Sequence, residues 1–187
     1  MVKRSIVAAI LTAFVFLSGL SFGLWWDELR KSKLREQIDE LTVYSSALFI
    51  ESQLLPKVKC EAMGPLIEDA IKDISRALED YEAYMKNSRM DLDRQRLLYR
   101  RYLLANIRYW MFAEKYKKDC GANYSIILFF FEKDCRPCVI MADRLTYMKK
   151  KYGNSVLIFP INMYLAREDP VAHTLREIYN VTEYPTF

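Results

Sequence analysis

Histidine is almost missing: His173 is the one imidazole in 187 residues. That excludes His-rich metal sites and makes any Cys-His or Ser-His-Asp arrangement depend on one residue. Glycine (5) and proline (6) are scarce and hydrophobic residues reach 52%, which excludes a collagen-like, low-complexity or disordered chain. Four cysteines are too few for a disulfide scaffold and enough for one structural and one working pair. Charge of one sign is lacking too. Lys+Arg 28 against Asp+Glu 24 leaves +4, and no dense basic patch is interleaved with stacking aromatics, so nucleic-acid binding is not expected. The length suits one to two small domains.

No charged residue occurs from Ser5 to Trp26. At about 1.5 Å per residue this run matches the roughly 30 Å hydrocarbon core, with Trp25 and Trp26 placed for the interface. Residues 1–26 are therefore expected to form a transmembrane anchor of a single-pass protein. A cleaved secretory signal is the alternative, but the run is longer than a usual signal core and no clear small-x-small site follows. Lys3 and Arg4 argue for a cytoplasmic N-terminus, while Arg30, Lys31, Lys33 and Arg35 argue the other way.

Residues 27–120 are expected to form a helical bundle. Glu28 to Leu55 lacks Gly and Pro, and Leu34, Ile38, Leu41, Leu48 and Leu55 form a stripe that predicts one long juxtamembrane helix ended by Pro56. Ser45 and Ser52 weaken that seam, which still leaves room for a homodimer through residues 34–55. A second helix is expected after Gly64-Pro65, with Leu66, Ile67, Ala70, Ile74, Ala77, Leu78 and Tyr81 on one face. Asn87-Ser88 breaks it, and Ser88 with Asp91 makes a capping box for a third helix to about Lys118. The third carries Leu98, Tyr102, Ala105, Tyr109 and Phe112 along one side, read as core or bundle surface.

Cys60 and Cys120 flank this antiparallel hairpin at the same end, the geometry a structural disulfide needs. Two unrelated thiols are the alternative reading. A bond there implies an oxidising compartment and so an extracytoplasmic soluble part.

After Gly121 the pattern changes to strand and helix. Tyr124 to Glu132 (YSIILFFFE) and Ser155 to Met163 (SVLIFPINM) read as buried parallel strands, with helices over Val139 to Tyr152 and Asp169 to Asn180. Between the first strand and its helix stands Cys135-Arg136-Pro137-Cys138. At a helix N-terminus the free N–H groups and the dipole stabilise a thiolate. Cys135 is thus the expected nucleophile and Cys138, one turn in, the resolving thiol. Arg136 adds positive charge beside Cys135. A zinc half-site is the weaker reading, because no second C-x-x-C or His pair exists and His173 belongs to the following helix. No metal and no cofactor is expected. Asn123-Tyr124-Ser125 and Asn180-Val181-Thr182 match the glycosylation sequon and are read as chance matches.

From Tyr124 to Phe187, about a third of the chain, the sequence resembles the thioredoxin superfamily. The apolar strand ending at Phe131, the C-x-P-C of Cys135 to Cys138, the second strand with Asn162, and Tyr179-x-Val181-x-x-Tyr184-Pro185-Thr186 stand in family order. The resemblance implies an α/β thioredoxin-like domain over residues 121–187, incomplete after its cis-proline motif. It also implies that Pro185 is cis and faces the dithiol, with Tyr184 contributing to substrate-backbone contact. The anchor, hairpin and redox domain together are similar to membrane-tethered archaeal thioredoxin-domain proteins. Two departures stand out: Asp134 replaces the family's tryptophan, and Phe129 replaces its buried acid, which disfavours efficient reductase behaviour.

The expected function is a membrane-tethered, extracytoplasmic thiol–disulfide oxidoreductase acting on protein cysteines. Its expected partners are protein thiols and disulfides, with a redox protein or membrane oxidant as electron partner. The other class of reading is a non-catalytic, membrane-anchored helical interaction protein with an inert redox domain.

Overall fold

The computed structural model describes residues 2–86 and 91–187; inside the first helix, the side chains of residues 2–5, 7–10, 29–31 and 33–34 lie outside the description. The chain divides into two compact units, Met1–Tyr44 and Ser45–Phe187. Among the described residues five α-helices and two strands follow in the order α1 (Val2–Leu54), α2 (Cys60–Met85), α3 (Leu92–Cys120), β1 (Ser125–Phe131), α4 (Arg136–Tyr152), β2 (Val156–Asn162) and α5 (Pro170–Ile178). About three quarters of the chain is helical.

Two expectations are overturned. The protein is mainly helical with only two parallel strands among the described residues, not an α/β thioredoxin-like domain behind a transmembrane helix. Both outer edges of the sheet are partly capped. Lys149, Asn106 and Tyr99 hold backbone groups of β2, Pro160 removes a donor there, and β1 meets the rest of the chain in a single bridge, Phe130 to Thr186. The single-pass membrane anchor is overturned as well: among the described residues no helix is long and apolar enough to cross a membrane. Thr12, Ser18, Gly19, Ser21 and Gly23 dilute the apolar character of residues 11–26, and Asp27 and Glu28 follow directly. Lys3, Arg4 and Leu34, which entered the orientation and seam readings, lie outside the described side chains.

Leu41 and Leu48 of α1, and Leu55 just beyond it, are the buried members of the predicted stripe, while Ile38 is exposed. The helix ends in a short 3-10 turn, Leu55–Lys57, with Pro56 at its start. Helix α2 begins at Cys60, ahead of the expected Gly64-Pro65 start. Pro65 sits early enough that its missing N–H costs one hydrogen bond rather than a break. The expected Ser88 cap lies outside the described residues. Asp91 caps α3 instead, accepting the Asp93 N–H at 3.0 Å. Gly121 closes α3 in a left-handed conformation (φ 69°), which glycine adopts without a Cβ penalty.

Helix α3 buries two faces, not one. Phe112 packs with Met63 and Ala70 of α2 and with Leu55. Tyr99, Leu103 and Ile107 turn toward the sheet. Arg108, only 12% exposed, ties the hairpin together through Glu51 (2.7 Å) and Asp69 (3.0 Å).

The sheet is covered on both sides, which is why its strands are almost continuously apolar. Ile126, Leu128 and Phe130 of β1, with Leu157, Phe159 and Ile161 of β2, face α3 and α5. Ile127, Phe129 and Phe131, with Ile158, face α4. This period-two split places α4 on one face and orients its first turn beyond the C-terminal end of β1.

Candidate functional site

The turn from β1 to α4 holds the two neighbouring cysteines. Asp134 adopts a left-handed backbone (φ 58°). Asp tolerates that conformation far better than Trp does, which gives its presence a local reason. Cys135 is then the N-cap of α4: its Sγ accepts the Cys138 N–H at 3.1 Å. Pro137 lies in the first turn, where an N–H has no helical partner.

Cys135 and Cys138 are disulfide-bonded, with Cα atoms 5.2 Å apart. Cys135 is half-buried, whereas Cys138 is 3% exposed. Attack from outside therefore reaches Cys135 first. The sulfur lies where the α4 dipole and free N–H groups stabilise developing thiolate charge. Arg136 is exposed beside it. Behind the pair, Phe129 and Leu145 pack against Cys138, and Phe129 stacks on Phe131 at 5.3 Å. The position lined by Phe129 holds no acid.

A second segment reaches this turn from the end of the chain. Val181 is buried and its carbonyl accepts from Arg176 Nε at 3.1 Å. Phe130 N–H donates to Thr186 O at 2.8 Å, and Thr186 N–H donates back to Phe130 O at 3.2 Å. Between these anchors Tyr184–Pro185 is a cis peptide bond. The Tyr184 carbonyl lies 3.9 Å from Cys135 Sγ. With the disulfide closed the sulfur carries no proton, so this is a contact; a reduced Cys135 thiol is placed to donate to that oxygen. The structure thus brings together Cys135, Cys138, Tyr184 and Pro185, with Arg136 on the exposed rim.

Cys60 and Cys120 form the other disulfide, with Cα atoms 5.7 Å apart, at the shared end of α2 and α3. His173 lies on α5, its ring nitrogen against the Arg167 carbonyl. Among the described residues no group of three or more His, Cys, Asp or Glu could hold a metal ion.

Sequence reasoning missed a groove of about 910 Å³ that runs from Cys135 and Cys138 along α4, past Val139 and Ala142, to Tyr102, Ile158 and Pro160. The available signal was the side of α4: Val139, Ala142, Asp143 and Thr146 recur at helical spacing immediately after the dithiol. No family model, curated protein or solved structure matches this chain.

Proposed function

We propose that the protein is a thiol–disulfide oxidoreductase that exchanges disulfides with cysteines of other proteins through Cys135 and Cys138. The observation that carries this reading is the half-buried Cys135 Sγ capping α4, with the buried Cys138 bonded to it. Such a pair is asymmetric: one sulfur is open to attack and the other is held for the second step. A client thiolate attacks Cys135 Sγ, the Cys135–Cys138 bond breaks, and Cys138 leaves as thiolate. A second client thiolate then attacks the client sulfur of the mixed disulfide. It releases the oxidised client and leaves Cys135 as a thiolate beside the α4 N-terminus. The reverse sequence reduces a client disulfide, with Cys135 attacking and Cys138 closing the bond. The redox partner, another dithiol protein, sets the direction.

Support also comes from the carbonyl of Tyr184 beside Cys135. In this reading Tyr184 and Pro185 present the backbone along which the client lies, and Arg136 contributes positive charge to the rim. The motif-level resemblance to the thioredoxin superfamily points to the same chemistry.

The test removes the second step. In Cys138→Ala the mixed disulfide has no internal resolving thiol, so client proteins or a cysteine peptide accumulate on Cys135 and release on reduction. A Cys138→Ala protein that traps nothing, while Cys135 alkylates freely, would sink the proposal.

A further inference from the structure

The outer edge of β2 carries open hydrogen-bonding groups that the dithiol chemistry does not use. Met163 N–H donates to Phe131 O, so alternate residues of β2 bond to β1 and the others, Val156, Ile158, Pro160 and Asn162, turn their backbone outward. Three of these are taken by side chains. Lys149 Nζ donates to Val156 O at 2.9 Å, Asn106 Nδ2 donates to Pro160 O at 3.3 Å, and Asn162 N–H donates to Tyr99 Oη at 2.6 Å. Proline has no N–H to offer. The N–H and C=O of Ile158 remain as the open pair of this edge among the described residues.

They face a groove in two lobes. One, of about 570 Å³, lies between α2, α3 and β2 and is walled by Ile67, Ile71, Ile74 and Tyr109. The other is the groove that leads to Cys135 and Cys138. Tyr102, Lys149, Ile158 and Pro160 line both, so the two lobes adjoin. Asn106 lines the first lobe and is 5% exposed. Its Nδ2 is fixed on the Pro160 carbonyl, so its Oδ1 is the free acceptor, with no partner among the described residues. Open strand-edge groups beside pockets for apolar side chains are how an extended peptide is recognised.

We propose that this groove binds an extended, apolar segment of the client polypeptide as a short added strand and leads its cysteine to Cys135. One residue of the segment exchanges two backbone hydrogen bonds with Ile158, and another donates its N–H to Asn106 Oδ1. Apolar side chains enter between Ile71, Ile74 and Tyr102. The strand stays short because Lys149 and Asn106 hold the neighbouring carbonyls, which also guards the edge against open-ended sheet growth. The substrate class is therefore an unfolded, cysteine-containing chain rather than a glutathione-sized thiol.

The inference rests on the exchange reading for its purpose, and its test separates the two. The probe is a labelled peptide of about ten residues, valine alternating with threonine around a central serine in place of cysteine; about three residues on each side suffice to fill the groove. Its binding to the oxidised protein is read by fluorescence anisotropy. Saturable binding is expected, weakened about fivefold by N-methylation of the single central amide that would donate to the Ile158 carbonyl, the loss expected for one backbone hydrogen bond. Ile71→Arg, at a position 44% exposed, should weaken it at least as much, with circular dichroism as the check on folding. No binding, or equal affinity for methylated and parent peptides, overturns the docking. Because the probe has no thiol, that failure leaves exchange between Cys135 and a small aromatic disulfide untouched. Absence of that exchange alongside tight peptide binding would instead remove the redox reading and keep the groove.

Discussion

Cys60–Cys120 joins residues 60 apart in sequence, from the start of α2 to the end of α3, whereas Cys135–Cys138 spans three at the start of α4. The first closes the helical hairpin at one end; Cys60 is the first residue of α2, and among the described residues no helix N–H is bonded to its sulfur. The second places one sulfur under an N–H of its own helix and buries the other. A long loop gains much from closure and a three-residue loop gains little. Under the proposed reading the same bond serves stability in one region and exchange in the other; the two differ in chain separation and in whether a sulfur caps its own helix.

The comparison can be broken most directly at the hairpin. Replacing Cys60 and Cys120 by serine should lower unfolding stability by about 4 kcal/mol in the chain-entropy account. Denaturant titration measures this, and trapping by the Cys138→Ala background should persist in conditions where the protein still folds. A loss below about 1 kcal/mol would make the hairpin bond as dispensable for stability as a short-loop one.

The next effect sharpens the contrast between the regions. Arg108 has no role in the dithiol turn but holds Glu51 and Asp69 against α3. Arg108→Met should cost about 3 kcal/mol, because it removes the buried cation between the partly buried Glu51 and Asp73 and the exposed Asp69. Exchange rates at Cys135, measured below the unfolding transition, should stay within about twofold, consistent with weak coupling between separated sites.

A smaller effect concerns the layer between the regions, which is rich in tyrosine. Burial raises the Tyr99, Tyr102, Tyr109 and Tyr124 hydroxyls, Tyr124 from 10.0 to about 12. The folded state therefore holds these protons more tightly than the unfolded chain. The stability they contribute is complete below pH 10 and falls as pH rises toward about 12. Unfolding free energy measured across that window should decline, and Tyr124→Phe should make the decline shallower. An unchanged slope would mean that Tyr124 titrates alike in both states.

The helix–strand order and the strand–CxxC–helix turn could be read from residues 124–163, because a both-sides-apolar strand followed by a capped helix has few other solutions. The pairing of Cys60 with Cys120 followed from the hairpin spacing. What could not be read was how α3 divides its faces. Tyr99, Leu103 and Ile107 look like part of one broad apolar helix, and only the tertiary arrangement assigns them to the sheet while Phe112 goes to α2. The capping of β2 could not be read either, for a related reason. Asn106, Lys149 and Tyr99 come from distant segments, and their capping of β2 is a tertiary event that local periodicity does not carry. The anchor reading leaned on an uncharged run of spanning length closed by Trp25 and Trp26; the described helix shows that small and polar residues dilute its hydrophobicity.

The central claim is that one disulfide is exchangeable and the other is structural. The direct measurement equilibrates the native protein in graded glutathione or dithiothreitol buffers, alkylates free thiols, and reads each cysteine by peptide mass spectrometry. The account predicts that Cys135 and Cys138 become reducible at a distinctly more oxidising poise than Cys60 and Cys120, which stay bonded until the protein unfolds. Reduction of both pairs together, or of Cys60–Cys120 first, would contradict it.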